Sequence, residues 1–88
     1  MLFLNAYTYK EGKKEEIIQT RMEKGRGAPK DVKIIGEWSA LDGSGGYMIF
    51  ETERADYAWT MMWSDLLDME LIPLVDTEKD VIGLLKQG

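Results

Sequence analysis

The sequence predicts an α+β domain built in the order strand, helix, strand, strand, helix, strand, with a short helix at the C-terminus. Three observations predict it. Residues 1–9 and 47–52 are apolar on both alternating faces, as strands in the middle of a covered sheet are. Residues 13–24 are charged, with apolar side chains at helical spacing. Between two strand-like runs stands Leu41-Asp42-Gly43-Ser44-Gly45-Gly46, whose glycines and aspartate suit a hairpin turn.

In residues 1–9, Leu2, Leu4, Ala6 and Thr8 share one face and Phe3, Asn5, Tyr7 and Tyr9 the other. Gly12 opens the first helix, an amphipathic surface helix in which Ile17, Ile18, Arg21 and Met22 fall at helical spacing, and Gly25 suits a left-handed cap before Arg26-Gly27-Ala28-Pro29. Residues 32–40 form a second strand with charges at Lys33 and Glu37 beside Ile34, Ile35 and Trp38, a mixture that an edge strand tolerates. Residues 47–52 return as the third strand. Thr52 is the expected N-cap of a second helix reaching about residue 67, with Glu53 and Asp56 in its first turn. Its apolar set, Ala55, Tyr57, Ala58, Trp59, Met61, Met62, Trp63, Leu66 and Leu67, is larger than one stripe requires. Residues 68–75 make the last strand, placed at an edge by Pro73, which has no ladder donor. Thr77 and Asp80 have capping-box spacing ahead of a helix over 78–87 with Val81, Ile82 and Leu85 on one face.

This order is the split βαβ, ferredoxin-like pattern, with both helices on one sheet face. The other face is left bare although strands one and three are apolar there, so a second copy of the chain is expected to cover it. At 88 residues one domain, 1–88, is expected.

Composition excludes several chemistries. Without Cys or His the chain cannot use thiol catalysis, disulfides, Cys/His zinc sites, imidazole acid–base chemistry or histidine-ligated haem. The net charge of -5 is uneven: residues 1–44 carry 8 basic and 7 acidic groups, residues 45–88 carry 3 and 9. Such a chain repels phosphate backbones, so no nucleic-acid partner is expected. The basic cluster Arg21, Lys24, Arg26, Lys30 and Lys33 reads as a solvated surface, with one small anion as the sharper alternative. No long apolar run suggests a membrane partner or secretion, and a cytoplasmic location is expected.

Met1-Leu2-Phe3-Leu4, Lys24-Gly25-Arg26-Gly27-Ala28-Pro29, Gly36-Glu37-Trp38, residues 47–51 and above all Trp59-x-x-x-Trp63-Ser64-Asp65-Leu66-Leu67-Asp68-x-Glu70-x-Ile72-Pro73 resemble a domain-of-unknown-function family assigned to the dimeric α+β barrel superfamily. The resemblance spans nearly the whole chain. It implies two ferredoxin-like protomers packed sheet to sheet, with a cleft between each sheet and its helices or partner. Haem-degrading members of that superfamily use a histidine that this chain lacks. Cofactor-free oxygenase members use an asparagine and a tryptophan; Asn5 with Trp38, Trp59 or Trp63 offers those residue types without an alignment to transfer their roles.

The candidate ligand-binding residues are Phe3, Asn5, Tyr7, Trp38, Trp59, Met62 and Trp63. An amide between aromatic neighbours is how small-molecule sites are built, while the plain alternative is an asparagine satisfied by a neighbour or water. Tyr7 and Tyr9 read best as interface residues with one wet end, so Tyr7→Asp is expected to give a monomer or an unfolded chain. The tryptophan and methionine stripe reads as core that also serves as cleft wall. Asp65, Asp68 and Glu70 match no calcium loop, the glycine-rich turn opens no helix, and neither a metal nor a cofactor is expected.

Two functions remain. One is a homodimer that binds a small apolar or aromatic molecule, with catalysis left open in the manner of cofactor-free monooxygenases or isomerases. The other is a non-catalytic interaction or stress-related module with a packed interior. A void beside Asn5 and Tyr7 of under about 100 Å³ favours the packed interior, because sites for drug-sized ligands usually exceed ~300 Å³.

Overall fold

The computed structural model describes residues 1–53 and 57–87. It is an α+β fold: β1 (Leu2–Tyr9), α1 (Lys14–Lys24), β2 (Lys33–Ser39), β3 (Gly45–Glu51), α2 (Tyr57–Trp63) and β4 (Leu67–Leu74), then π-helical turns Thr77–Ile82 that run into α3 (Gly83–Gln87). The four strands form one open sheet in the order β2-β3-β1-β4, each neighbouring pair antiparallel. The two strands with apolar residues on both faces, β1 and β3, lie in the middle. Pro73 lies in edge strand β4 and the charges Lys33 and Glu37 in edge strand β2.

One sheet face is covered by α1 and α2. Its core is Phe3 and Tyr7 of β1, Met48 and Phe50 of β3, Leu67 of β4, Ile17 of α1, and Trp59 and Trp63 of α2. Phe3 stacks on Phe50 at 5.5 Å between ring centres, and Trp59 meets Phe50 edge-on at 5.2 Å, arrangements that complement the ring quadrupoles. The opposite face is apolar and open. Leu4 lies there between Ile49 and Ile72, Leu2 beside Leu74, and Ala6 between Tyr47 and Glu70.

Strand β2 departs from simple alternation. Ile34 pairs with Phe50 and Gly36 with Ile49, so Ile35 is the extra residue of a bulge. One inserted residue reverses which side chains face each way beyond it. Glu37, opposite buried Met48, therefore turns towards the helices, and Trp38, opposite Tyr47, turns to the open face.

Other expectations shift by a few residues. The Thr52 N–H donates to the Met1 carbonyl at 2.9 Å and the chain bends at Glu53, while the turn that Thr52 was expected to cap falls in residues 54–56, outside the described residues. The expected contributions of Ala55 and Asp56 lie outside the described residues. Helix α2 ends at Trp63 and not near residue 67, because Ser64 donates through both its N–H and its hydroxyl to the Met61 carbonyl and closes a turn. Of the turn glycines only Gly43 has positive φ (77°); Gly45 and Gly46 lie in β3, where the backbone passes too close for a side chain. The N-cap of the C-terminal helical segment is Asp76, which accepts from the Lys79 N–H, while Asp80 accepts from the Asp76 N–H. That is the expected reciprocal cap moved by one residue.

Candidate functional site

The covered face of the sheet holds a charged cluster inside an aromatic shell. The bulge in β2 delivers Glu37, whose side chain is only 8% exposed. Arg21, one turn after buried Ile17 on α1, donates from both terminal nitrogens to the two carboxylate oxygens, at 2.8 Å from Nη1 to Oε2 and with Nη2 on Oε1. Arg26 adds a bond from Nε to Oε1 at 3.1 Å, and the Tyr7 hydroxyl donates to Oε2 at 2.5 Å. A buried carboxylate must be paired in this way to stay ionised.

Tyr7 reaches Glu37 by crossing the strand between them. Tyr7 of β1 pairs with Gly46 of β3, and a Cβ on Gly46 would sit 2.6 Å from the Tyr7 hydroxyl and 2.6 Å from the Trp38 carbonyl. Only glycine leaves that path open.

The electrostatics follow. Burial works to raise the Glu37 pKa, but hydrogen bonds from Arg21 and Tyr7, the Arg21 charge and the Arg26 bond outweigh it, so the carboxyl titrates below its ordinary 4.5. Its hydrogen bond to Glu37 raises Arg21, and burial followed by the Glu37 bond and charge lifts Tyr7 well above its ordinary 10.0. At neutral pH the cluster is thus carboxylate, two guanidinium groups and a neutral phenol.

Helix α2 closes the top of this cluster through the loop after α1. The indole N–H groups of Trp59 and Trp63 both donate to the Arg26 carbonyl, at 3.0 and 3.2 Å. Met62 lies against Gly27, which has φ 67° and no room for a side chain beneath the thioether. These three α2 residues, at i, i+3 and i+4, therefore grip one loop.

Asn5 stands at the edge of the cluster. Its Nδ2 makes a long contact of 3.9 Å to the Met69 sulfur, and its Oδ1 is buried with no partner, the one such side-chain atom among the described residues. Two spaces meet at this residue. An inner cavity of about 60 Å³ runs from Asn5 past Tyr7 and Glu37 towards Trp59 and Trp63. An open groove of about 340 Å³ lies between α2 and β4, lined by Asn5, Thr60, Met61, Ser64, Met69 and Leu71.

The sequence-predicted residues thus separate. Asn5, Tyr7, Trp59 and Trp63 share the inner cavity. Phe3 is core packing beneath Phe50, Met62 is half-exposed over Gly27, and Trp38 lies 56% exposed on the opposite face because of the bulge. Tyr7 and Tyr9 lie on the helix-covered face and not on the open one, so the interface reading of these tyrosines does not hold and Tyr7→Asp would act inside the chain's own core. Asp65, Asp68 and Glu70 do not converge: among the described residues no three such side chains are placed to hold a metal ion. No helix among them is long and apolar enough to cross a membrane.

Three site residues were not singled out in the sequence. Arg21 and Arg26 stood in a cluster read as solvated, and Glu37 as an edge charge; the anion that the two arginines meet is the chain's own carboxylate. The available signal was Arg21 at i+4 from Ile17, on the buried side of α1.

The family model for a domain of unknown function, DUF3303, matches residues 1–88, and the chain belongs to that family. Searches of curated proteins and of solved structures return no match.

Proposed function

We propose that this DUF3303 chain works as a homodimer that binds a small apolar or aromatic molecule in the groove between α2 and β4, oriented by Asn5. The unpartnered Asn5 Oδ1 carries this reading. A buried acceptor left without a donor costs about 1–3 kcal/mol. A ligand hydroxyl or N–H would satisfy it, with Met61, Met69 and Leu71 against the apolar body. Methionines adapt to irregular shapes, and the groove volume falls in the usual range of ~300–1,000 Å³ for ligand sites. Trp59 and Trp63 form the inner wall.

The assembly follows from the open sheet face. The chain exposes 6630 Å², whereas a compact monomer of its mass exposes roughly 5,300 Å². The surplus of about 1,300 Å² is what one partner of a stable homodimer buries. The strand order with both helices on one face supports a single ferredoxin-like domain, and the uncovered second face supports the dimeric α+β barrel.

The second reading, a non-catalytic module with a packed interior, is favoured by the inner cavity. Its 60 Å³ is below the size that admits even a benzene ring, for which a cavity of roughly 150 Å³ is known to suffice. A tryptophan-fluorescence and NMR titration with phenols, quinones and short fatty acids separates the two. Saturable shifts at Asn5 and Leu71, weakened about tenfold or more in Asn5→Ala, support ligand binding. No response from any compound supports the packed module.

A further inference from the structure

We propose that the C-terminal arm, residues 75–87, docks on a second copy of the chain and clasps the dimer. The proposal rests on the homodimer reading and is independent of ligand binding.

The arm is ordered but unsupported. It begins with reciprocal capping between Asp76 and Asp80 and continues through π-helical and α-helical turns to Gln87. Helices of this length are marginal in water unless an apolar face is buried. Yet Val75 is 62%, Leu84 67% and Leu85 73% exposed, and Val81 is also exposed. Four large apolar side chains on a two-to-three-turn segment are what an interface needs and what a solvated arm does not.

The dimensions of the molecule identify this segment as an extension. The chain measures 51 × 30 × 18 Å with a radius of gyration of 15.3 Å, against roughly 12 Å for a compact domain of its length. A chain that packed its arm on its own core would not be this long.

The occupant follows from continuity. The arm leaves β4 at Leu74, and Ile72 and Leu74 face the open side of the sheet beside Leu4 and Leu2. The arm therefore leaves the sheet next to the open face, and a twofold axis that covers this face would bring each exposed arm to the other protomer. Every contact is then made twice, as in isologous assemblies.

The chain has no cysteine, so a single label can be placed without background. Lys86→Cys carries a nitroxide beside the apolar residues without replacing one. Labelled protein is mixed with unlabelled, ¹⁵N-enriched protein, and light scattering is recorded on the same sample. A dimer in which amides of the enriched protomer are broadened by the other chain's label supports the clasp. A dimer without such intermolecular broadening overturns the clasp and leaves the dimer standing; a monomer overturns both. In parallel, ending the chain after Val75 should weaken dimerisation by about tenfold or more, and an unchanged dimer dissociation constant would count against the arm.

Discussion

Gly46 shows how one missing side chain can set the chemistry of a site. The Tyr7 ring passes over it to Glu37, and a Cβ there would meet both the phenol oxygen and the Trp38 backbone. Gly46→Ala is expected to separate Tyr7 from Glu37 and lower stability by about 2 kcal/mol or more, measured by urea unfolding, against about 1 kcal/mol for Tyr7→Phe. Glu37 gives the protein an acid-sensitive element. Because its carboxyl titrates below 4.5 in the folded state, its contribution to stability is fully present above that value and is lost as pH falls through the folded value. Glu37→Gln should therefore be less stable at pH 7, by about 2–4 kcal/mol with both arginines left unpaired, and its unfolding midpoint should change less between pH 5 and pH 3 (about one unit either side of a carboxylate's usual range). A parallel decline of both proteins with acid would show that Glu37 is not the group responsible. Asn5→Leu removes an unsatisfied acceptor and is expected to raise the unfolding midpoint and, on the proposed function, to abolish binding of the small molecule.

Among the elements, β2 and α2 carry most of the site. The edge position of β2 leaves one side of its backbone without a strand partner, and a bulge is easily accommodated there. Helix α2 is short, yet its Trp59, Met62 and Trp63 all act on the loop at residues 26 and 27. Trp59→Phe keeps the contact with Phe50 and removes one of two donors to the Arg26 carbonyl. The expected loss is about 1 kcal/mol, with faster amide exchange confined to the 25–29 loop; uniform acceleration across the sheet would instead point to a role in the core.

For the molecule as a whole, the decisive surface is the open face of the sheet. Leu4 stands at its centre, between Ile49 and Ile72. For the proposed homodimer, Leu4→Asp should yield a monomer or an unfolded chain by sedimentation, since a charge there would have no partner across the seam; an intact dimer would remove this face from the interface. The two-sided apolarity of β1 and β3 made their central places legible in the sequence, and Pro73 and the charges of β2 made the edges legible. Arg21, Arg26 and Glu37 were not legible as a cluster, because each is an ordinary surface residue until the bulge brings the carboxylate inward. Trp38 was misplaced for the same reason: strict alternation from Ile34 puts it inside. The groove beside Asn5 depends on where α2 stops, which a turn at Ser64 decides and apolar periodicity does not.

The extra residue at Ile35 has a consequence for how such a site arises. Deleting that single position would remove the bulge and keep the register on both sides of it, with Ile34 opposite Phe50 and Glu37 opposite Met48, so the carboxylate would stay under the helices. Taking Ile35 into the ladder opposite Ile49 would instead turn the Trp38 indole under the helices and the Glu37 carboxylate to the open face. Register at this point of the chain, more than the identity of any site residue, is what separates the two arrangements.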